Sequence, residues 1–319
     1  PTLDLERPEV CGPMTDSALY WVAEYDLDGF RHDACKHIPE NYWRMLTRKM
    51  KQRFPDRDLW QIGETYGSPE LIGSYVRSGM IDAQFDFNVY HTALDVLTRG
   101  RSVRHLAAVA EQSLAAYGAH HTMGNITGNH DKARLISLAG GALSPDENHK
   151  AAGWTREVGV GDSIGYRKLA LIQALNCTLP GVPCIYQGDE YGEPGANDPD
   201  NRRMMRFDGY SPREQAQREL TRALVGLRRT SMPLLYGDMT TLALTDEVWI
   251  FARAYMGEFV IVALNTGDRP QQAECILPAC FDENRKLKAN FGAAFGFRPD
   301  GRLCVELPAA GFEILTETK

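Results

Sequence analysis

From about residue 14 to residue 230 the chain alternates short apolar runs with longer stretches whose apolar positions recur at helical spacing. That texture predicts repeated strand–helix units and a parallel sheet. The runs LDGFR (27–31), LWQIG (59–63), IDAQFD (81–86), GNITG (124–128) and VPCIY (182–186) read as strands. Amphipathic helices are predicted near 40–53, 68–78, 88–117, 163–177 and 211–229, the last with Ser211 as N-cap and Pro212 as first helical residue. The opening PTLDLERPEV reads as a loop. After MPLLYGD (232–238) the pattern shortens to TTLAL, EVWIFARAY, EFVIVALN, AECIL, RLCVEL and GFEIL, broken by turn residues such as Asn265-Thr266-Gly267-Asp268. This predicts an α/β domain over 1–235 and an antiparallel β-sandwich over 236–319.

Five parallel strands do not close a barrel; eight are needed, at about 31 residues per unit. The expected fold class is therefore the C-terminal part, about strands 4–8, of a (β/α)8 TIM barrel followed by the small β domain. Some 90 or more residues, roughly three units, would then precede Pro1. Periodicity alone leaves an open doubly wound sheet as the alternative.

A net charge of −7 without a basic cluster excludes nucleic acid and anionic membrane as main partners. No apolar run reaches the ~18 residues a membrane helix needs. The seven cysteines (11, 35, 177, 184, 275, 280, 304) form no CxxC pair and no Cys/His cluster at zinc spacing, and several sit in apolar runs as small core residues. Their odd number tilts towards a reducing, cytoplasmic compartment, and any targeting signal is expected upstream of Pro1.

Three acidic residues directly follow predicted strands: Asp33 after LDGFR, Glu64 after LWQIG and Asp131 after GNITGNH. Asp33 and Glu64 lie one unit apart and Glu64 and Asp131 two, which predicts all three at the C-terminal strand ends, where barrels build active sites. Strand ends about 4.8 Å apart bring carboxyls towards the ~5–5.5 Å of a retaining glycosidase pair. Arg31, two residues before Asp33, shares its strand face and favours its ionisation. Glu64 has no cation within three residues, which suits a group that must hold a proton. Each carboxylate alone is equally an ordinary helix-start residue. The regular spacing of all three is what argues for chemistry.

At these residues the chain resembles the α-amylase family of retaining α-glucan enzymes. Gly29-Phe30-Arg31-His32-Asp33-Ala34-Cys35-Lys36-His37 resembles the family's second conserved region, whose Asp is the nucleophile. Gly63-Glu64-Thr65 is similar to the third, whose Glu is the acid/base. Gly128-Asn129-His130-Asp131 is similar to the fourth, whose His and Asp hold hydroxyls of the reacting sugar. The opening PTLDLERPEV resembles the segment before barrel strand four, with Thr2 and Asp4 as departures. GVPCIYQGDEYGEPGANDPDNRRMMRF resembles the loop after strand eight. The resemblance implies catalytic Asp33, Glu64 and Asp131 with substrate-binding Arg31 and His130. It places Lys36 and His37 at the leaving-group sugar and Asp198 and Arg202 at non-reducing-end glucose units.

The family's first region, D-x-x-x-x-N-H, does not occur here. Its His binds sugar and its Asn commonly ligates a structural calcium, so calcium belongs with the missing N-terminal barrel segment and no other cofactor is implied. This stretch alone is accordingly expected to be inactive. The expected activity is retaining hydrolysis of α-glucosidic bonds in α-glucans or maltooligosaccharides. Glucosyl transfer and a non-catalytic carbohydrate-binding role on the same scaffold are the alternatives. Trp60 and Tyr66 flank Glu64 in sequence and offer ring faces to a sugar, although Trp60 falls inside a strand. His32, on the opposite strand face from Arg31, reads as structural, and Trp154 in the 145–162 loop is a further candidate platform.

Overall fold

The computed structural model describes residues 3–278 and 286–318; Thr2 and Cys280 lie outside them. The chain divides into two compact units, Pro1–Asn88 with Gln112–Gly124 and Val89–Glu111 with Asn125–Lys319. The division runs through helices and a strand.

The first unit opens on α1 (Pro8–Tyr25), so the opening loop stops at Arg7 instead of running through Val10. Pro8, Gly12 and Pro13 disguise this helix in the sequence. Yet Pro8 stands at the first helical position, where an amide hydrogen would lack a partner, and Glu9 faces the positive end of the helix dipole. The Thr15 hydroxyl donates to the Cys11 and Gly12 carbonyls, at 2.9 and 2.8 Å, around the break at Pro13. Cys11, Thr15, Leu19 and Val22, three or four residues apart, form the buried stripe.

There follow β1 (Gly29–His32), α2 (Glu40–Arg53), β2 (Trp60–Gly63), α3 (Pro69–Ser74) and β3 (Ala83–Gln84). The strands form a parallel sheet in that order, with His32 opposite Gly63 and Gly63 opposite Gln84. Phe85 makes a parallel bridge to Gly124. Leu19 of α1 and Trp43, Leu46 and Met50 of α2 pack with Tyr75, Met80 and Ile81 in one core. The stretch read as one helix over 88–117 is two, α4 (Phe87–Arg99) and α5 (Val103–Tyr117). Gly100 takes a left-handed φ of 65° just past Arg99, which glycine alone adopts without strain.

In the second unit β4 (Gly124–Ile126) pairs with β5 (Val182–Cys184). Between them lie α6 (Leu135–Ala139), α7 (His149–Thr155) and α8 (Ile164–Thr178). After β5 come α9 (Pro212–Thr230), opened by a Ser211–Glu214 capping box, and α10 (Met232–Tyr236).

The β module adds β6 (Asp238–Leu244), β7 (Val248–Tyr255), β8 (Glu258–Asn265), β9 (Gln271–Cys275), β10 (Leu287–Ala289), β11 (Phe295–Phe297), β12 (Leu303–Leu307) and β13 (Gly311–Glu317). They form two antiparallel sheets, β10-β13-β8-β7-β6 and β11-β12-β9. Ile250, Ile261, Ala273, Leu303, Val305 and Leu315 meet in the core between them. In β8 every residue from Phe259 to Asn265 is buried, and α10 packs against β7 and β8.

Two buried guanidinium groups close on the end of α8, one from α9 and one from this module. Arg228 of α9 donates to the carbonyls of Cys177, Leu179 and Gly181. Arg253 of β7, 1% exposed, donates to Thr178 and to Gly237. Burial and the Arg228 charge both work against Arg253's protonation. The negative end of the α8 dipole works for it.

Candidate active site

Within the first unit β1 and β2 carry the paired carboxylates. The β1–β2 ladder continues past the strands: the Glu64 amide donates to the His32 carbonyl at 3.0 Å and the Cys35 amide to the Glu64 carbonyl at 2.8 Å. These two bonds lock the turn after β1 to the end of β2. Ala34, directly after Asp33, sits in the left-handed region at φ 43°, a strained conformation for a residue with a Cβ. Gly63 permits the close approach, since a Cβ there would lie 2.5 Å from Cys35 Sγ and 2.6 Å from Ile81 Cδ1.

Arg31 lies between the two acids. Its Nη1 is 2.7 Å from Asp33 Oδ1 and its Nη2 is 2.6 Å from Glu64 Oε2. Burial opposes the guanidinium charge, but hydrogen bonds and charge from both carboxylates outweigh it and raise the Arg31 pKa. Glu64 therefore does have a cation beside it, which its sequence neighbours do not supply. Its cation comes from 33 residues away, across the strand pair. Glu64's side chain is 7% exposed and that of Asp33 77%, so one acid is enclosed by protein and the other is open.

The remaining first-unit candidates are placed unequally. Lys36 reaches the Tyr66 carbonyl at 3.1 Å, just past Glu64, and His37 is exposed in the same turn. Tyr66 stacks on Phe87, ring centroids 4.0 Å apart. Trp60 does not flank Glu64 in space. It opens β2 and Glu64 follows its far end, about 13 Å away at strand rise. Trp60 lines a cavity of about 320 Å³ with Met50, Arg57 and Asp82. His32 lies against Trp43, ring centroids 4.7 Å apart, with a ring nitrogen 3.0 Å from Gln61 Oε1.

The other candidates belong to the second unit, where they form one cluster. His130 Nε2 is 3.4 Å from Asp131 Oδ2, and Arg202 Nη2 is 3.2 Å from Asp131 Oδ1. Arg202 Nε also meets Asp198 Oδ1 at 2.8 Å. Lys150 Nζ lies 4.0 Å from Asp198 Oδ2. Trp154, 76% exposed, sits on α7, so the predicted 145–162 loop holds a helix.

Behind this cluster is a buried network that sequence reasoning passed over. Arg134 Nη1 meets Asp189 Oδ1 at 2.8 Å, both side chains almost wholly enclosed. Thr127 donates to Asp189 Oδ2 at 2.5 Å. Burial pushes the Asp189 carboxyl up, against the pull of Arg134 and Thr127. The sequence signal was Arg134, three residues past Asp131, and Asp189 in the segment after VPCIY. Among the described residues no group of three His, Cys, Asp or Glu side chains is placed to hold a metal ion.

The catalytic-domain model of the alpha-amylase family matches residues 1–226. A cyclomaltodextrinase of Geobacillus thermopakistaniensis (strain MAS1) is 28% identical over 318 residues, covering 98% of this chain and 48% of that protein. The crystal structure of an Anoxybacillus alpha-amylase superposes with a TM-score of 0.83 at 27% identity, over 100% of this chain and 65% of that one. An alpha-amylase of Geobacillus thermoleovorans, solved with acarbose, gives 0.80 at 25% identity, over 99% and 66%. The chain thus spans about half the length of the curated cyclomaltodextrinase it matches.

Proposed function

The chain belongs to the α-amylase family, and from that premise we propose that its whole protein hydrolyses α-glucosidic bonds of maltooligosaccharides or α-glucans with retention of configuration. Asp33 attacks the anomeric carbon while Glu64 gives its proton to the departing glycosidic oxygen. Water, deprotonated by Glu64, then displaces Asp33 and releases the sugar. His130 and Asp131 hold hydroxyls of the sugar that Asp33 attacks, Asp198 and Arg202 bind the units beyond it, and Lys36 and His37 meet the leaving group. We read the five strand–helix units as the latter five of an eight-unit barrel.

The observation that carries this reading is Arg31, shared between Asp33 and Glu64 at 2.7 and 2.6 Å. A guanidinium that pairs both acids holds them within the short span a double displacement needs. For Glu64 to act as acid, Arg31 must serve Asp33 alone in the substrate complex, so its Glu64 contact belongs to the resting enzyme. Oligosaccharide as substrate is supported by the acarbose-bound relative.

The test uses the full-length protein. Asp33→Asn is expected to reduce hydrolysis to background. Glu64→Gln is expected to cripple turnover of maltooligosaccharides while sparing activated aryl glucosides, which need little proton assistance. Early hydrolysis followed by proton NMR should show the α-anomer first, and β-anomer appearing first would sink the two-step mechanism.

A further inference from the structure

The reacting-sugar cluster of the second unit stands on a short turn, 129–132. Within the turn the Asp131 amide reaches Asn129 Oδ1 at 2.9 Å, and the Lys132 amide reaches the Asn129 carbonyl at a long 3.3 Å. Further anchors come from a residue some 70 positions away. Asn201, wholly buried, spends both side-chain N–H bonds on it, one to the Asn129 carbonyl at 3.2 Å and one to the Lys132 carbonyl at 2.8 Å. Asn201 thus bridges the two ends of the turn that carries His130 and Asp131. Its Oδ1 is buried without a hydrogen-bond partner among the described residues. Leaving that oxygen unpaired costs free energy, so the two N–H bonds are what the side chain contributes.

Asn201 is itself fixed from behind. Its carbonyl accepts from Arg134 Nη2 at 2.8 Å and from the Tyr186 hydroxyl at 3.3 Å. The Arg134 guanidinium lies over the Tyr186 ring, 4.1 Å from its centroid, and pairs with buried Asp189. Arg202 touches the turn too, through the His130 carbonyl at 3.1 Å and Asp131 Oδ1 at 3.2 Å. Its side chain is 45% exposed, and solvent screening makes such an ion pair a weak anchor. The enclosed amide is the stiffer hold.

We propose that Asn201 is a positioning residue for the reaction: backed by Tyr186 and the Arg134–Asp189 pair, it clamps the 129–132 turn and sets where Asp131 meets the sugar. This rests on the assignment of Asp131 above. The test is a double-mutant cycle in the full-length protein, with Asn201→Ala and the milder Tyr186→Phe each made alone and with Asp131→Asn, using maltotriose as substrate. Loosening a contact by an ångström costs up to about 100-fold, so Asn201→Ala is expected to lower kcat/KM by roughly 10- to 100-fold. In the Asp131→Asn background the same change should cost less than about threefold, since coupled groups fail as one. A cost equal in both backgrounds, or no cost, overturns the clamp. If Asn201→Ala does not fold, Tyr186→Phe decides by the same comparison, with a loss confined to the Asp131 background expected. If Asp131→Asn alone keeps wild-type kcat/KM, the role of Asp131 fails and the clamp falls with it. A disabled Asp131→Asn with additive losses removes the clamp alone.

Discussion

Arg31 holds two carboxylates with the two arms of one guanidinium, a geometry no lysine can reproduce because its ammonium is a single point charge. Replacing it with methionine leaves two acids, one of them enclosed, without the cation they share. If the proposed roles hold, kcat/KM should fall about 10- to 100-fold. Steady-state kinetics of Arg31→Met check this, and an unchanged kcat/KM would detach Arg31 from the chemistry. Half of this geometry was legible in the sequence. Arg31 and Asp33 are two apart on a strand and so share a face, whereas the Glu64 contact depends on which strand lies alongside and at what register. The same reasoning misplaced Trp60. Nearness along an extended strand is distance in space, and four residues of strand carry Trp60 away from Glu64.

At the scale of elements, the strands and most helices were readable because apolar periodicity reports burial directly. The errors fall where local chemistry overrides it. Pro8 and Pro13 hid α1, although Pro8 occupies the one turn that tolerates proline well, and Gly100 split a helix whose apolar pattern runs on past it. His32 shows how elements depend on one another: β1 presses its ring against Trp43 of α2 and beside Gln61 of β2. Burial, joined by the Arg31 charge and only partly offset by Gln61, lowers the His32 pKa from its ordinary 6.5. The unfolded chain therefore takes up this proton before the folded one. The stability His32 contributes is full above pH 6.5 and drains away as pH falls from there through the lowered folded value. Thermal melting of the wild type should fall more steeply over that window than melting of His32→Gln. Parallel curves would show that His32 takes no part in it.

For the molecule as a whole, the β module was legible as a change of texture near 232–238, but its attachment was not. Nothing in the pattern announces that Arg228 and Arg253, 25 residues apart, both end on the last carbonyls of α8. Arg253→Met keeps the bulk and removes the donors, leaving the Thr178 and Gly237 carbonyls unmet. Losing a buried charged hydrogen-bonding group of this kind should cost about 3 kcal/mol. Chemical denaturation of wild type and variant measures that loss, and an unchanged midpoint would show that the contacts contribute nothing to stability.

Arg253 limits what an engineer can do with the C-terminal module. Cut at the texture change and transplanted onto a foreign catalytic domain, the sandwich carries Arg253 with it and leaves the α8 carbonyls behind. The recipient would have to supply a helix ending at the same depth, or the graft would bury a cation with only the Gly237 carbonyl to meet it. The unit that can be exchanged between relatives therefore begins before α8, at residues that a reader of sequence would assign to the catalytic half.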